Sequence, residues 1–253
     1  MLEKLKKRKF IRFFGLSLGG NLVVLVFTTM NGILTARILG PENRGIYSLL
    51  FSTVMISIAV ISLKIGLSQV YLRSKYEFDE LATNSLVITV FSSLLTLIIA
   101  SGVVGLVYDD VYQGIPWNLI ALMMINVPLL MFLQTIRSML MADYDVPRET
   151  VIKVARPAIF FFAFSGVAMF GLGTVDNAVV CVLVSVLGAL VFSAVLVIKR
   201  GLSFSGANIT LIRELVSFAL KTHVGQLFKY LQYRFDIFLV AYFLNPTQVG
   251  LYS

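Results

Sequence analysis

The sequence predicts an all-α polytopic membrane protein, and three observations predict it. Apolar residues make up 58% of the chain. They gather in seven runs, each long enough to cross a bilayer, which takes about 20 helical residues. The basic residues sit between those runs and fall very unevenly on alternate sides. Charged residues supply only 13% of the chain, about half the share of a soluble domain. A soluble core cannot hide that much apolar surface, whereas hydrocarbon can.

The runs lie near 11–36, 46–71, 82–107, 117–141, 151–172, 176–198 and 216–244. The first follows Lys4, Lys6, Lys7, Arg8, Lys9 and Arg12. It is too long for a signal-peptide core and has no small-residue cleavage site, so it reads as a retained first helix. With Met1 on the cytoplasmic side, the segments predicted inside add Arg73, Lys75, Arg148, Lys153, Arg156, Lys199, Arg200 and Arg213, fourteen basic residues in all. The outside segments hold only Arg37 and Arg44. That asymmetry orients the chain, because cytoplasmic loops retain Lys and Arg. The outside stretch with Tyr108, Asp109, Asp110 and Trp117 has no basic residue, and its Tyr and Trp suit a headgroup belt. The expected location is the inner (cell) membrane, multi-pass, with membrane lipids as the surrounding partner.

Several function classes drop out. Cys181 and His223 are the single cysteine and histidine, which leaves no disulfide framework, zinc ribbon or HExxH site. The chain has no phosphate-binding GxxxxGK[ST] loop and no set of residues for a Ser-His-Asp triad that avoids His223. No cofactor, no metal and no enzymatic activity are expected. A net charge of +8 would suggest nucleic acid in a soluble protein. Here the positive-inside distribution accounts for it, and no nucleic-acid partner is expected.

The chain repeats itself. Residues 36–48 read ARILGPENRGIYS and residues 241–253 read AYFLNPTQVGLYS. At one constant offset, Ala36, Leu39, Pro41, Gly45, Tyr47 and Ser48 recur as Ala241, Leu244, Pro246, Gly250, Tyr252 and Ser253. Pro and Gly here end one helix and restart the next. Both copies fall at outer ends of outward-running helices, six helices apart. The two halves are therefore expected to be parallel repeats, a transporter arrangement that holds substrate between its halves. The expected organisation is a six-helix lobe over 1–198 and a cytoplasmic connection over 199–215 with a candidate amphipathic helix. Residues 216–253 then form the first helix and outer loop of a second lobe. The chain stops where an eighth helix would begin, so the expectation is part of a protein with twelve or more helices.

Polar residues inside the runs need a reason, because a charge at the bilayer centre costs about 2.5–3.5 kcal/mol on insertion scales. In the last run, Lys221, Gly225, Lys229, Gln232 and Asp236 share one helix face, widened by Thr222, Gln226 and Tyr233. In the first run, Ser17, Asn21, Thr28, Asn31 and Thr35 share a face. Asn21 and Asn31 map onto Gln226 and Asp236 in the repeat. Two polar stripes facing one cavity is one reading, and helix-to-helix adhesion is the other. Lys229 and Asp236 either pair with each other or meet a substrate. Lys64 either faces the lumen or snorkels, Arg234 turns away from the stripe toward another helix, and Arg137, Lys153 and Arg156 read as snorkelling groups near inner helix ends. Pro128 and Pro157 are candidate kinks.

The stretch Ala36-Arg37-Ile38-Leu39-Gly40-Pro41-Glu42-Asn43-Arg44-Gly45-Ile46-Tyr47 resembles the first outer loop of Wzx-type polysaccharide flippases. That family belongs to the multidrug/oligosaccharidyl-lipid/polysaccharide exporter superfamily. Arg37, Gly40, Pro41, Arg44, Gly45 and Tyr47 carry the loop motif. Gly66-Leu67-Ser68-Gln69 and Tyr233-Arg234-Phe235-Asp236 look like the same family. The resemblance implies two six-helix lobes around a cavity, alternating access, and a polyprenyl-diphosphate-linked oligosaccharide as cargo. Lys229, Lys64 and Arg234 are then candidate phosphate contacts. Asp236 balances charge or joins in coupling to H+ or Na+, and other polysaccharide-assembly proteins are candidate partners. The alternatives are a cation-coupled multidrug exporter of the same superfamily and a membrane enzyme of polysaccharide synthesis.

Overall fold

The computed structural model describes residues 2–61, 63, 65–244 and 246–252, with side chains outside 2–12, 61, 224–227, 229–234 and 246. Every regular element among these residues is helical. α1 (Leu2–Ile61) is two helical arms joined at Gly40, and α2 (Ile65–Leu72) follows the second arm. Next come α3 (Phe78–Leu106), the short α4 (Tyr108–Val111), α5 (Trp117–Met124) and α6 (Asn126–Ala142). α7 (Val146–Met169), α8 (Val175–Ile198), α9 (Ile209–Phe243) and α10 (Pro246–Tyr252) complete the chain. Five described stretches are long and apolar enough to cross a membrane, the first holding both arms of α1.

The predicted runs map onto these helices with differences at several ends and two interior breaks, at Leu63 and at Ile125. α7 begins at Val146, ahead of the apolar run, because Asp145 accepts a hydrogen bond from the Arg148 amide and Pro147 tolerates the first turn. The span over 117–142 is interrupted at Ile125, three residues before Pro128. The Asn126 side chain there donates to the Met123 carbonyl at 3.1 Å. Residues 209–220, read as a candidate surface helix, are the opening turns of α9. Leu211, Leu215 and Ala219 are fully buried there, and the first two pack with Ile65, Leu72, Leu81 and Ile88.

The main core joins the second arm of α1 to α5, α6, α7 and α8 through Leu50, Val54, Ile120, Val127, Ile152 and Val186. Small hydroxyl residues let these helices approach closely. Ser52, Ser85, Thr96 and Ser193 are fully buried, and Thr53, Thr89 and Thr96 bond carbonyls one turn back. The outer surface is the reverse of a soluble protein's: Phe91, Ile98, Leu106, Met169 and Phe170 each leave at least 70% of their surface open. Hydrocarbon is the medium that suits such a surface.

The two ends of the bundle differ in chemistry. At one end Asp143 meets Arg73 at 2.9 Å and also pairs with Arg200, while Asp145 pairs with Arg148. Arg200 also lies over the Phe78 ring at 4.2 Å. At the other end are the Gly40–Pro41 turn, Tyr108 stacked on Trp117 at 4.6 Å, and a buried hydrogen bond of 2.7 Å between Thr53 and Tyr112.

Gly40 has φ 70° and ψ 175°, a region open essentially to glycine alone. Nothing lies within 4 Å of a Cβ placed there, so the restriction is conformational and not steric. Gly40→Ala is expected to cost about 1–3 kcal/mol and to lower the melting temperature in detergent. An unchanged melting temperature would show that the turn relaxes without strain.

Candidate functional site

Three hollows open among the helices. One of 370 Å³ lies between α2, α3 and α6, and its charged lining residues, Arg137 and Glu149, pair with each other. One of 820 Å³ runs beside Gly15 and Gly19 and is lined without a charged group. The third, of 300 Å³, is different: Arg44 and Arg156 both line it, with Thr28, Asn31, Thr35 and Tyr47 among their neighbours.

Each of these side chains arrives for a local reason. Arg44 sits one turn past the Gly40–Pro41 break, so the second arm of α1 turns it inward with Tyr47, Ser48 and Phe51. Thr28, Asn31 and Thr35 follow one another at helical spacing on the first arm. Arg156 is placed by the early start of α7: ten residues beyond Val146 puts it about 15 Å along the helix. It therefore reaches the interior of the bundle and does not snorkel at a helix end. Its guanidinium lies 6.0 Å from the centre of the Phe51 ring. Among the described residues neither Arg44 nor Arg156 takes part in an ion pair. Ser185, Val182 and Phe160 close the cavity from α8 and α7.

Asn31 donates from Nδ2 to the Pro157 carbonyl at 3.0 Å, which fixes the amide against the proline of α7. Its Oδ1 is buried without a partner among the described residues. An unmet acceptor beside two unpaired guanidinium groups suits a ligand that brings both negative charge and hydroxyl donors.

The sequence-predicted site residues part company here. Asn31, Arg44 and Tyr47 come together at the cavity, whereas Asn21 lies further along α1 and accepts a hydrogen bond from Lys153 of α7. Asp236 accepts a hydrogen bond of 2.7 Å from Tyr252 of α10. Lys64 lies outside the described residues, as do the side chains of Gln226, Lys229, Gln232 and Arg234. Arg37 is exposed at the turn, and Gly45 is buried. Arg156 is the residue the sequence reading missed. Its signal was Asp145-Val146-Pro147-Arg148-Glu149, a capping residue, an early proline and a first-turn acid ahead of the apolar run.

At the opposite end of the bundle, Lys75 and Tyr76 hold α9 to the turn after α2: the Lys75 ammonium lies 2.6 Å from Glu214 and the Tyr76 hydroxyl 3.1 Å. The Lys75 hydrogen bond is the largest cause holding the Glu214 carboxyl below its ordinary value, and the same bond raises Lys75. A depressed carboxylate contributes above its unfolded value of 4.5, and a raised ammonium contributes below 10.5. The latch is therefore complete between those values. It fails as pH falls through the lowered Glu214 value or rises through the raised Lys75 value. The melting temperatures of the parent and Glu214→Gln should differ by a constant amount across that window, and the gap should close below it. A gap that persists at the acid extreme would remove the carboxylate from the latch.

The chain matches the family model described as "Polysaccharide biosynthesis protein" over residues 12–253. One solved structure, of a protein titled "protein A", superposes with a TM-score of 0.75 at 17% sequence identity. The match covers 97% of this chain and 59% of that one, so the likeness is one of fold and the chain spans under two thirds of its relative's length. No curated protein matches in sequence. Members of the matched family are generally transporters or flippases rather than enzymes. With all-helical architecture and a family match over nearly its whole length, this multi-pass membrane chain belongs to the polysaccharide biosynthesis protein family, that of the Wzx-type flippases.

Proposed function

We propose that the chain serves a secondary translocator that passes a polyprenyl-diphosphate-linked oligosaccharide across the cytoplasmic membrane by alternating access, with Met1 on the cytoplasmic side. The observation that carries this reading is the cavity with two arginines and no carboxylate. A diphosphate is doubly charged and strongly hydrated, and moving it bare through hydrocarbon is prohibitive. Arg44 and Arg156 replace its water with guanidinium donors, whose planar fork suits phosphate oxygens in bidentate fashion. Asn31 and Tyr47 then face the first sugar hydroxyls, while the lipid tail stays in the bilayer. In this reading the cost of holding unpaired cations in the membrane is offset only when cargo is bound, which ties occupancy to the conformational cycle.

Lys229, Gln226, Gln232, Arg234 and Lys64 are proposed to extend the same binding surface, with Asp236 as its charge balance or as the carrier of H+ or Na+ coupling. A cation-coupled exporter of the superfamily would call for acidic groups in the cavity. The described lining has none, which favours the anionic cargo.

Arg156→Ala, made in the native membrane protein, should reduce polymer export about ten- to a hundredfold at normal membrane levels, the range expected for losing a hydrogen bond to a charged group. Arg156→Lys should keep part of the activity, since charge survives and bidentate geometry does not. Full export with Arg156→Met would leave Arg156 as a packing group over Phe51 and remove it from cargo binding. A parallel test addresses the other half of the surface. Lys229→Ala combined with Asp236→Asn should remain impaired if Lys229 meets cargo, and should transport normally if the two residues only neutralise each other.

A further inference from the structure

The repeated Pro–Gly turn is more than a sequence echo, because its two copies touch. Gly250 of α10 packs against the backbone of the first copy. A Cβ placed on it would overlap the Pro41 carbonyl oxygen and stand 2.7 Å from the Pro41 carbonyl carbon and 3.0 Å from the Gly45 amide nitrogen. Pro41 and Gly45 are the register mates of Pro246 and Gly250, so the second copy of the turn meets the first. The obstacle at Gly250 is backbone, which has no rotamer through which to yield. Val249, the neighbouring residue, is 1% exposed and joins the main core. Arg44 of the cationic cavity is the residue next to Gly45, and Tyr47 and Ser48 line the cavity one turn on.

We propose that Gly250 is the size-limited half of a backbone-to-backbone seal that closes the Arg44–Arg156 cavity at its Pro41 end, and that this contact parts when the cavity opens on that side. The proposal rests on the translocator reading for its purpose and on geometry alone for the contact. A seal made of backbone suits a contact that must form and break. It fixes no long side chain, strands no charge, and leaves two preformed helix starts, at Pro41 and Pro246, on either side of the break. It also makes closure depend on the absence of a side chain at one position.

The test uses the native membrane protein with Cys181→Ala and a reporter cysteine, Thr35→Cys, in the cavity wall. A membrane-impermeant thiol reagent is applied from the Pro41 side. Gly250→Leu should raise the labelling rate about tenfold or more by populating the open state and should stop polymer export. Gly250→Ala should fall between it and the parent. Gly206→Leu, at a glycine with nothing within 4 Å of its Cβ, should match the parent. If Gly250→Leu does not accumulate in the membrane, Gly250→Ala decides alone: raised labelling supports the seal and parental labelling rejects it. Labelling at the parental rate in Gly250→Leu overturns the seal whatever happens to export. Raised labelling with parental export overturns its part in the cycle. Because labelling needs no cargo, a failed cargo assignment at Arg156 leaves this result standing, and a failed seal leaves that one standing.

Discussion

Hydrocarbon offers a peptide group nothing to hydrogen-bond with, and the rest of this structure follows from that constraint. It explains why every described regular element is helical, and it makes each break in a helix an event that needs a local remedy. At Gly40 the remedy is a backbone conformation that glycine alone reaches, followed by a proline where the first helical N–H has no partner to lose. At Ile125 it is the Asn126 amide on the Met123 carbonyl. At Pro157 the helix runs on without a break, and the Asn31 side chain of α1 donates to the proline's own carbonyl. The Asn31–Pro157 contact lies in the wall of the cationic cavity.

Charge is handled by a second logic. At one end of the bundle basic residues are neutralised: Asp143 and Asp145 gather Arg73, Arg148 and Arg200, and Glu214 holds Lys75. Within the span Arg137 has Glu149, which is only 6% exposed. Breaking a buried pair strands a charge, so these contacts act as fixed ties between helices. Arg44 and Arg156 are the departure from that pattern. Among the described residues Arg137 is paired within the bundle, whereas Arg44 and Arg156 face one cavity without an ion pair.

Most of the fold was legible in the sequence because the apolar runs are long and sharply bounded by charge. The Pro–Gly motif and its recurrence were legible too, but the contact between the two copies was not read from them. What escaped was the phase of α7. The apolar run begins near residue 151, but the helix is set by Asp145 and Pro147, and five extra residues carry Arg156 from the membrane surface to the interior. Hydropathy measures where a span is greasy, whereas capping chemistry measures where it starts, and the two diverge when the first turns are polar. The partners of Asn21 and Asp236 were illegible for another reason. Lys153 and Tyr252 lie on other helices, and no periodicity within one helix reveals its neighbour.

The repeat gives the site a symmetry that the individual contacts only hint at. Asn31 and Tyr47 in the first copy correspond to Asp236 and Tyr252 in the second. In the first copy these residues line a cavity and Asn31 keeps an unmet acceptor. In the second the tyrosine hydroxyl closes directly on the carboxylate. The same two positions thus line a cavity in one copy and bond each other in the other. The two copies differ at this position by an amide in one and a carboxylate in the other. The Asp236 carboxylate accepts a hydrogen bond from the Tyr252 hydroxyl, while the Asn31 amide donates to a proline carbonyl and its oxygen has no partner among the described residues.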